Sequence, residues 1–310
     1  MKAERVKAYL SGICYSAIFG FSFLFTKNAL DKVDPIKFIG FRFALAALAV
    51  TLVAALGAVP ISFKGKNFKP LLFLSLLEPG CYFVFETFGV KLTSSSQAGL
   101  MIALIPVLVA VLGAFILKER LSPFQVFFIL LSAAGVMAIS SQGGGDAGGS
   151  KLGLLLLFGA VLSASLFNIY SRKLSAVYSP FEITFAMMWV GAIFFNAAGL
   201  ILSAIAGNTA DYFAPLLDAE VVFALCYLGL FSSVLAYFLV NFTLSRLPAS
   251  RSSVFSNLTT VISVVAGVAF RGEPFTIIHA AGALMILLGV WGTNRFSIEG
   301  EFLTQEGGQL

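Results

Sequence analysis

Along almost the whole of this 310-residue chain, stretches of around twenty residues with hardly any charge follow one another, separated by a few polar positions. As a helix, such a run matches the hydrocarbon thickness of a bilayer and satisfies its own backbone amides where no water can. The spacing predicts helices near 8–27, 36–57, 70–90, 97–117, 124–141, 152–173, 181–205, 220–243, 249–270 and 276–294. The fold expected is therefore an all-α integral membrane protein of ten transmembrane helices. Composition closes off the soluble alternative: 59% of residues are hydrophobic and 11% charged, with mean hydropathy +0.96, whereas soluble domains carry about 25% charge. Ten spans also leave no length for a soluble catalytic domain.

The breaks between the runs are punctuated. Asp34-Pro35, Ser122-Pro123 and Ser179-Pro180 each pair an N-cap type with a proline suited to the first helical turn. A Gly-rich linker over 142–151 divides a first five-helix unit, 8–141, from a second, 152–294, and a polar tail runs over 295–310. Lysine and arginine gather in the segments on the side of the termini, so the positive-inside rule puts both termini in the cytoplasm of a multi-pass cell (inner) membrane protein. The first run is too long for a signal-peptide core and reads as an uncleaved span. Although the net charge is +5, the cations are scattered singly, which argues for topological anchors and against a nucleic-acid partner. Cys14, Cys81 and Cys226 lie inside apolar runs and are expected to be buried packing residues rather than a disulfide or metal framework.

The chain also resembles itself. Lys118-Glu119-Arg120-Leu121-Ser122 follows the fourth run and Gly272-Glu273-Pro274-Phe275-Thr276 the ninth, at an offset of 154 residues. The same offset aligns Gly113 with Gly267 and Gly135-Val136 with Gly289-Val290, and an offset of 145 puts Asp34-Pro35 on Ser179-Pro180 and Lys27 on Arg172. Two copies of an odd number of spans enter the membrane from opposite sides. The expectation is two inverted five-helix repeats around a central cavity, an arrangement suited to alternating access with the substrate site near the midplane. Glu119 and Glu273 repeat but fall at helix ends, and both read as structural loop residues.

Phe19-Gly20-Phe21-Ser22-Phe23 with Lys27 in the first run, Pro106-Val107-Leu108 with Gly113 and Glu119 around the fourth, and Gly267 with Glu273 around the ninth resemble the EamA branch of the drug/metabolite transporter superfamily. The resemblance covers about residues 8 to 294. It implies a basket of helices in which the first, third, fourth, sixth, eighth and ninth enclose the cavity, used to export amino acids or other metabolites. The ninth run departs from the fourth by carrying Thr259-Thr260 in place of Ile105-Pro106.

Charged side chains at bilayer depth cost about 2.5–3.5 kcal/mol, so those retained face the bundle interior or water. Glu78 and Glu86 share the third run, with Tyr82 between them, roughly 12 and 24 Å from its cytoplasmic end. Glu78 is the better intramembrane site, expected to exchange protons or to meet a cationic substrate group; permanent pairing with Arg42 or with backbone freed by Pro79 is the structural alternative. Arg42 stands alone as a cation deep in a run and is expected to pair with an acidic group. Asn257 and Asn168 suit polar ligand groups but also serve as helix-helix glue, and Tyr237 with Asn241 shares a face of the eighth run on the path. Pro79 and Pro106 each leave a carbonyl unbonded inside a span and are candidate hinges.

A secondary transporter of a small-molecule substrate, embedded in membrane lipid and able to use protons, accounts best for these features. No GxxxxGK[ST] loop points to ATP, and no cofactor or metal motif occurs. A membrane-embedded enzyme would need an HExxH, GxSxG or paired-aspartate constellation, which the chain lacks. With Arg42 as the one deep cation, neutral or zwitterionic metabolites, amino acids among them, or cationic and lipophilic drugs are favoured over phosphorylated solutes.

Overall fold

The computed structural model describes residues 2–117, 121–141, 150–247, 249–253 and 255–296; Glu119, the Gly-rich segment from 142 to 149 and the tail beyond 296 lie outside them. Helices are the secondary structure of the described residues, which contain no strand. In chain order the helices are α1 (Lys2–Leu30), α2 (Pro35–Ala55), α3 (Lys69–Leu92), α4 (Ser95–Ile116), α5 (Pro123–Ser141), α6 (Lys151–Leu174), α7 (Pro180–Ile205), α8 (Ala219–Arg246), α9 (Ser256–Arg271) and α10 (Ile277–Arg295), with a short turn Ala249–Ser253 leading into α9. Seven are long and apolar enough to cross a bilayer, and α5, α9 and α10 contribute shorter apolar stretches. The caps follow from the punctuation. The Asp34 carboxylate accepts from the backbone N–H groups of Ile36 and Lys37, and Ser179 with Glu182 and Ser122 with Gln125 form reciprocal capping boxes.

Small residues bring three pairs of helices into backbone contact, and each pair runs antiparallel, one residue number rising as the other falls. Between α5 and α10, Gln125 donates to the Thr293 carbonyl and Ser132 to that of Ile286. A Cβ on Gly135 would lie 2.7 Å from the Gly282 carbonyl oxygen, and one on Gly289 would lie 2.6 Å from that of Phe128. Between α4 and α9, Thr260 donates to the Gly99 carbonyl at 2.7 Å and Ser263 to that of Ser95 at 2.8 Å. Asn196 of α7 donates to the Gly40 carbonyl of α2, and Trp189 to the Thr51 hydroxyl. Close approach with interhelical hydrogen bonds is how helices associate where lipid supplies no hydrophobic drive.

Polar residues tie the helix ends together. Lys27 donates to the carbonyls of Val90, Lys91 and Thr93 at the end of α3, and Arg172 to those of Leu244 and Ser245 at the end of α8. Each cation thus meets the negative end of a helix dipole. Glu273, read from the sequence as a loop residue, grips the start of α4: its carboxylate accepts from the backbone N–H and hydroxyl of both Ser95 and Ser96, at 2.5–2.8 Å. Burial pushes its acidity toward the neutral form, but the bonds from Ser95 and Ser96 outweigh that and hold it below the usual carboxylate range. Gly272, at φ +61°, turns the chain out of α9 to aim this side chain, and Gly267 leaves it room, since a Cβ there would fall 2.2 Å from Glu273 Oε2.

Two helices are irregular where they pass the interior. In α3 the turn Leu76–Cys81 is widened, and Glu78 leaves the helical conformation at φ −147°, ψ 113°, as expected of a residue preceding proline. In α8 the widened stretch is Tyr227–Ala236. Helix α4 is interrupted at Ala103 and Leu104 and restarts at Ile105, leaving Pro106 in a first turn where its missing N–H costs nothing. The cysteines depart from expectation: all three are free, with Cys14 and Cys226 exposed and Cys81 partly so. In lipid, an exposed small apolar side chain needs no core to bury it.

Candidate functional site

A cavity of about 80 Å³ lies among α1, α2, α3, α4, α6, α8 and the start of α9, room for several water molecules or a small solute. Its walls are aromatic: Tyr15 and Phe19 from α1, Tyr82 and Phe83 from α3, Phe167 from α6 and Tyr237 from α8. Ser253, Ser256 and Thr259 line the part beside α9. Against this background stand three charged residues, Arg42, Glu78 and Glu86, all 5% exposed or less.

The break at Glu78 is what turns its carboxylate inward, across to α8, where the Tyr237 hydroxyl donates to Oε1. Glu86, two turns further along α3, accepts from the neighbouring Thr87 hydroxyl at 3.0 Å. Arg42 is held from the side: Nε donates to Ser233 and Nη2 to Ser232, both at 2.8 Å, while Cζ stands 4.5 Å from the centre of the Phe83 ring. Among the described residues no ion pair within 4.0 Å links Arg42 to either glutamate. The expected pairing of Arg42 with an acid is thereby corrected. Two serine hydroxyls from the widened turn of α8 and an aromatic face take the place a carboxylate was expected to fill, and Glu78 has a phenol rather than Arg42 or freed backbone as its partner.

The cavity therefore brings together Arg42, Glu78, Tyr82, Glu86, Asn168 and Tyr237. Asn168 donates within its own helix to the Ala164 carbonyl. Asn241 does not line the cavity; it is fully buried between helices, accepting from Ser171 and donating to Thr184, which is helix-helix glue. Asn257 is also off the cavity, with its Oδ1 buried and without a partner among the described residues. Pro79 and Pro106 lie beside breaks in α3 and α4 but do not line the space.

Sequence reasoning missed Ser232, Tyr15, Phe19, Phe83 and Phe167. Ser232 was findable, because the offset of 154 that relates the two halves places it on Glu78. Phe83 was findable in the same way, since that offset places it on Tyr237, and Phe19 stands in the Phe19-Gly20-Phe21-Ser22-Phe23 motif. Tyr15 and Phe167 carried no such signal, because in a lipid-embedded chain an aromatic facing a cavity and one facing acyl chains look alike in sequence.

A model described as the EamA-like transporter family matches residues 6–141 and again residues 151–295. The uncharacterized transporter YcxC of Bacillus subtilis (strain 168) is 38% identical over 295 residues, spanning 95% of each chain. The probable amino-acid metabolite efflux pumps of Salmonella typhimurium (strain LT2) and Escherichia coli (strain K12) are 24% identical over 278 residues, covering 88% of this chain and 90% of theirs. A solved structure 19% identical shares the fold with a TM-score of 0.66 over 94% of this chain and 97% of that one. With both halves matched and a relative alike along nearly the whole length, the chain belongs to the EamA-like transporter family, and is a multi-pass membrane transporter rather than an enzyme.

Proposed function

We propose that this protein is a secondary transporter that exports a small metabolite, an amino acid or another neutral or zwitterionic solute, by alternating access through the central cavity, with proton exchange at Glu78. The observation that carries the reading is the Glu78 carboxylate, withdrawn from water, facing the cavity and bonded across it to Tyr237. An intramembrane acid whose partner among the described residues is one hydroxyl is free to take a proton or an amine in turn, which couples the two. The names of the efflux pumps from Salmonella typhimurium and Escherichia coli agree with an amino-acid-like cargo moving outward.

Alternating access rests on ten spans arranged as two inverted five-helix halves, 8–141 and 152–294. Support comes from contacts made twice. Lys27 and Arg172, related by 145 residues, cap Val90 with Lys91 and Leu244 with Ser245, which are related by 154. The contact of Gly135 with Gly282 and Ile286 maps at that same offset onto the contact of Gly289 with Phe128 and Ser132, and the helices so paired run antiparallel, as inverted copies must. In this reading Glu78 and Tyr237 belong to different halves, so their bond spans the interface that rocks. Both termini lie in the cytoplasm of the cell membrane, on the basic side of the chain.

The aromatic walls and two carboxylates also favour a lipophilic cation as cargo. Counterflow in proteoliposomes against a panel of amino acids, sugars and lipophilic cations separates the readings: exchange of amino acids supports the first and exchange confined to cations the second. A panel in which nothing exchanges refutes both.

A further inference from the structure

Resting on the carrier reading above, the geometry points to the outer edge of the Arg42 guanidinium as a receptor for one carboxylate of the transported solute, with Ser232 and Ser233 as the residues that position it. A guanidinium offers five N–H donors in a rigid fork. The side edge, Nε with one Nη2 hydrogen, is occupied by Ser233 and Ser232. The end edge, Nη1 with the second Nη2 hydrogen, has no protein partner among the described residues, and Arg42 lines the cavity.

This end edge has the spacing that binds a carboxylate through two parallel bonds. Neutral hydroxyls and the Phe83 ring orient the charge without cancelling it. No carboxylate touches the guanidinium: the glutamates of the cavity stand more than 4.0 Å away, engaged by Tyr237 and Thr87. A solute bringing its own carboxylate makes that direct contact, and its amine is left for Glu78. The widened stretch of α8 presents two consecutive hydroxyls, Ser232 and Ser233, to one arginine from α2.

The test uses the purified full chain in proteoliposomes. For each amino acid that exchanges in counterflow, its amide, which keeps the amine and loses the carboxylate charge, is titrated as competitor. In the wild type the acid is expected to compete about ten- to hundredfold better than the amide. In Arg42→Lys, which keeps the charge but not the fork, and in Ser232→Ala with Ser233→Ala, which free the fork, that preference should fall at least several-fold. A merely structural role would weaken acid and amide alike. Equal competition by acid and amide in the wild type overturns the carboxylate receptor while leaving the carrier intact, as does exchange of solutes that all lack a carboxylate. Absence of any exchange overturns the carrier reading itself.

Discussion

Removing the Glu273 side chain should loosen the end of the bundle where α9 meets α4. The Glu273 carboxylate, 8% exposed, accepts two backbone N–H groups and two hydroxyls from Ser95 and Ser96. Losing an N-cap interaction costs about 1 kcal/mol, and a hydrogen bond to a charged group contributes about 1.5–3 kcal/mol. Because water can reach part of the vacated site, a net cost of about 3 kcal/mol is expected for Glu273→Ala, which is a factor of about a hundred in the ratio of open to closed ends. Ser263, 1% exposed and bonded to the Ser95 carbonyl, reports the separation. With Cys14, Cys81 and Cys226 replaced, a Ser263→Cys reporter should react with a membrane-impermeant maleimide about a hundredfold faster once Glu273→Ala is added. Gly267→Ala, whose Cβ would strike Glu273 Oε2, should act similarly and not additively, since both changes break one contact. Unchanged labelling and an unchanged thermal midpoint in Glu273→Ala would show that this contact does not hold α4 and α9 together.

Other consequences follow from the same packing. Gly135→Ala places a Cβ 2.7 Å from the Gly282 carbonyl oxygen, backbone that cannot swing aside, and should destabilise the protein in detergent by about 1–3 kcal/mol, read as a lower thermal midpoint. Lys27→Met and Arg172→Met remove equivalent helix-end cations and should each cost about 1 kcal/mol, nearly equal in the two halves; a cost confined to one of them would argue against the equivalence. Glu273 is held below its ordinary value of 4.5, so its contribution is present above that value and is lost as pH falls through its lowered one. The thermal midpoint in detergent should therefore fall as the pH is lowered below the ordinary carboxylate value of 4.5, and Glu273→Gln should remove the share of that fall that belongs to Glu273.

Much of the architecture was legible because lipid imposes one rule on every span. The apolar runs at 36–57 and 181–205 became α2 and α7 almost residue for residue, with Asp34 and Ser179 capping as their spacing implied. Glu78 and Arg42 were legible as costly exceptions. What they touch was not, because partners in a bundle come from distant segments: Ser232 lies 190 residues from Arg42 and Tyr237 lies 159 from Glu78. Asn241 and Asn257 show the converse. An amide inside a span looks the same in sequence whether it faces a ligand path or joins Ser171 to Thr184. Glu273 was placed at a helix end, but nothing local indicated that the helix it serves is α4.

Coupling of solute to protons at the buried Glu78 is read by counterflow and by pH-gradient-driven flux in proteoliposomes holding either the wild type or Glu78→Gln. The wild type should exchange solute and accumulate it under a proton gradient, while Glu78→Gln should lose the response to the gradient. A Glu78→Gln protein that transports fully with unchanged pH dependence would contradict that coupling.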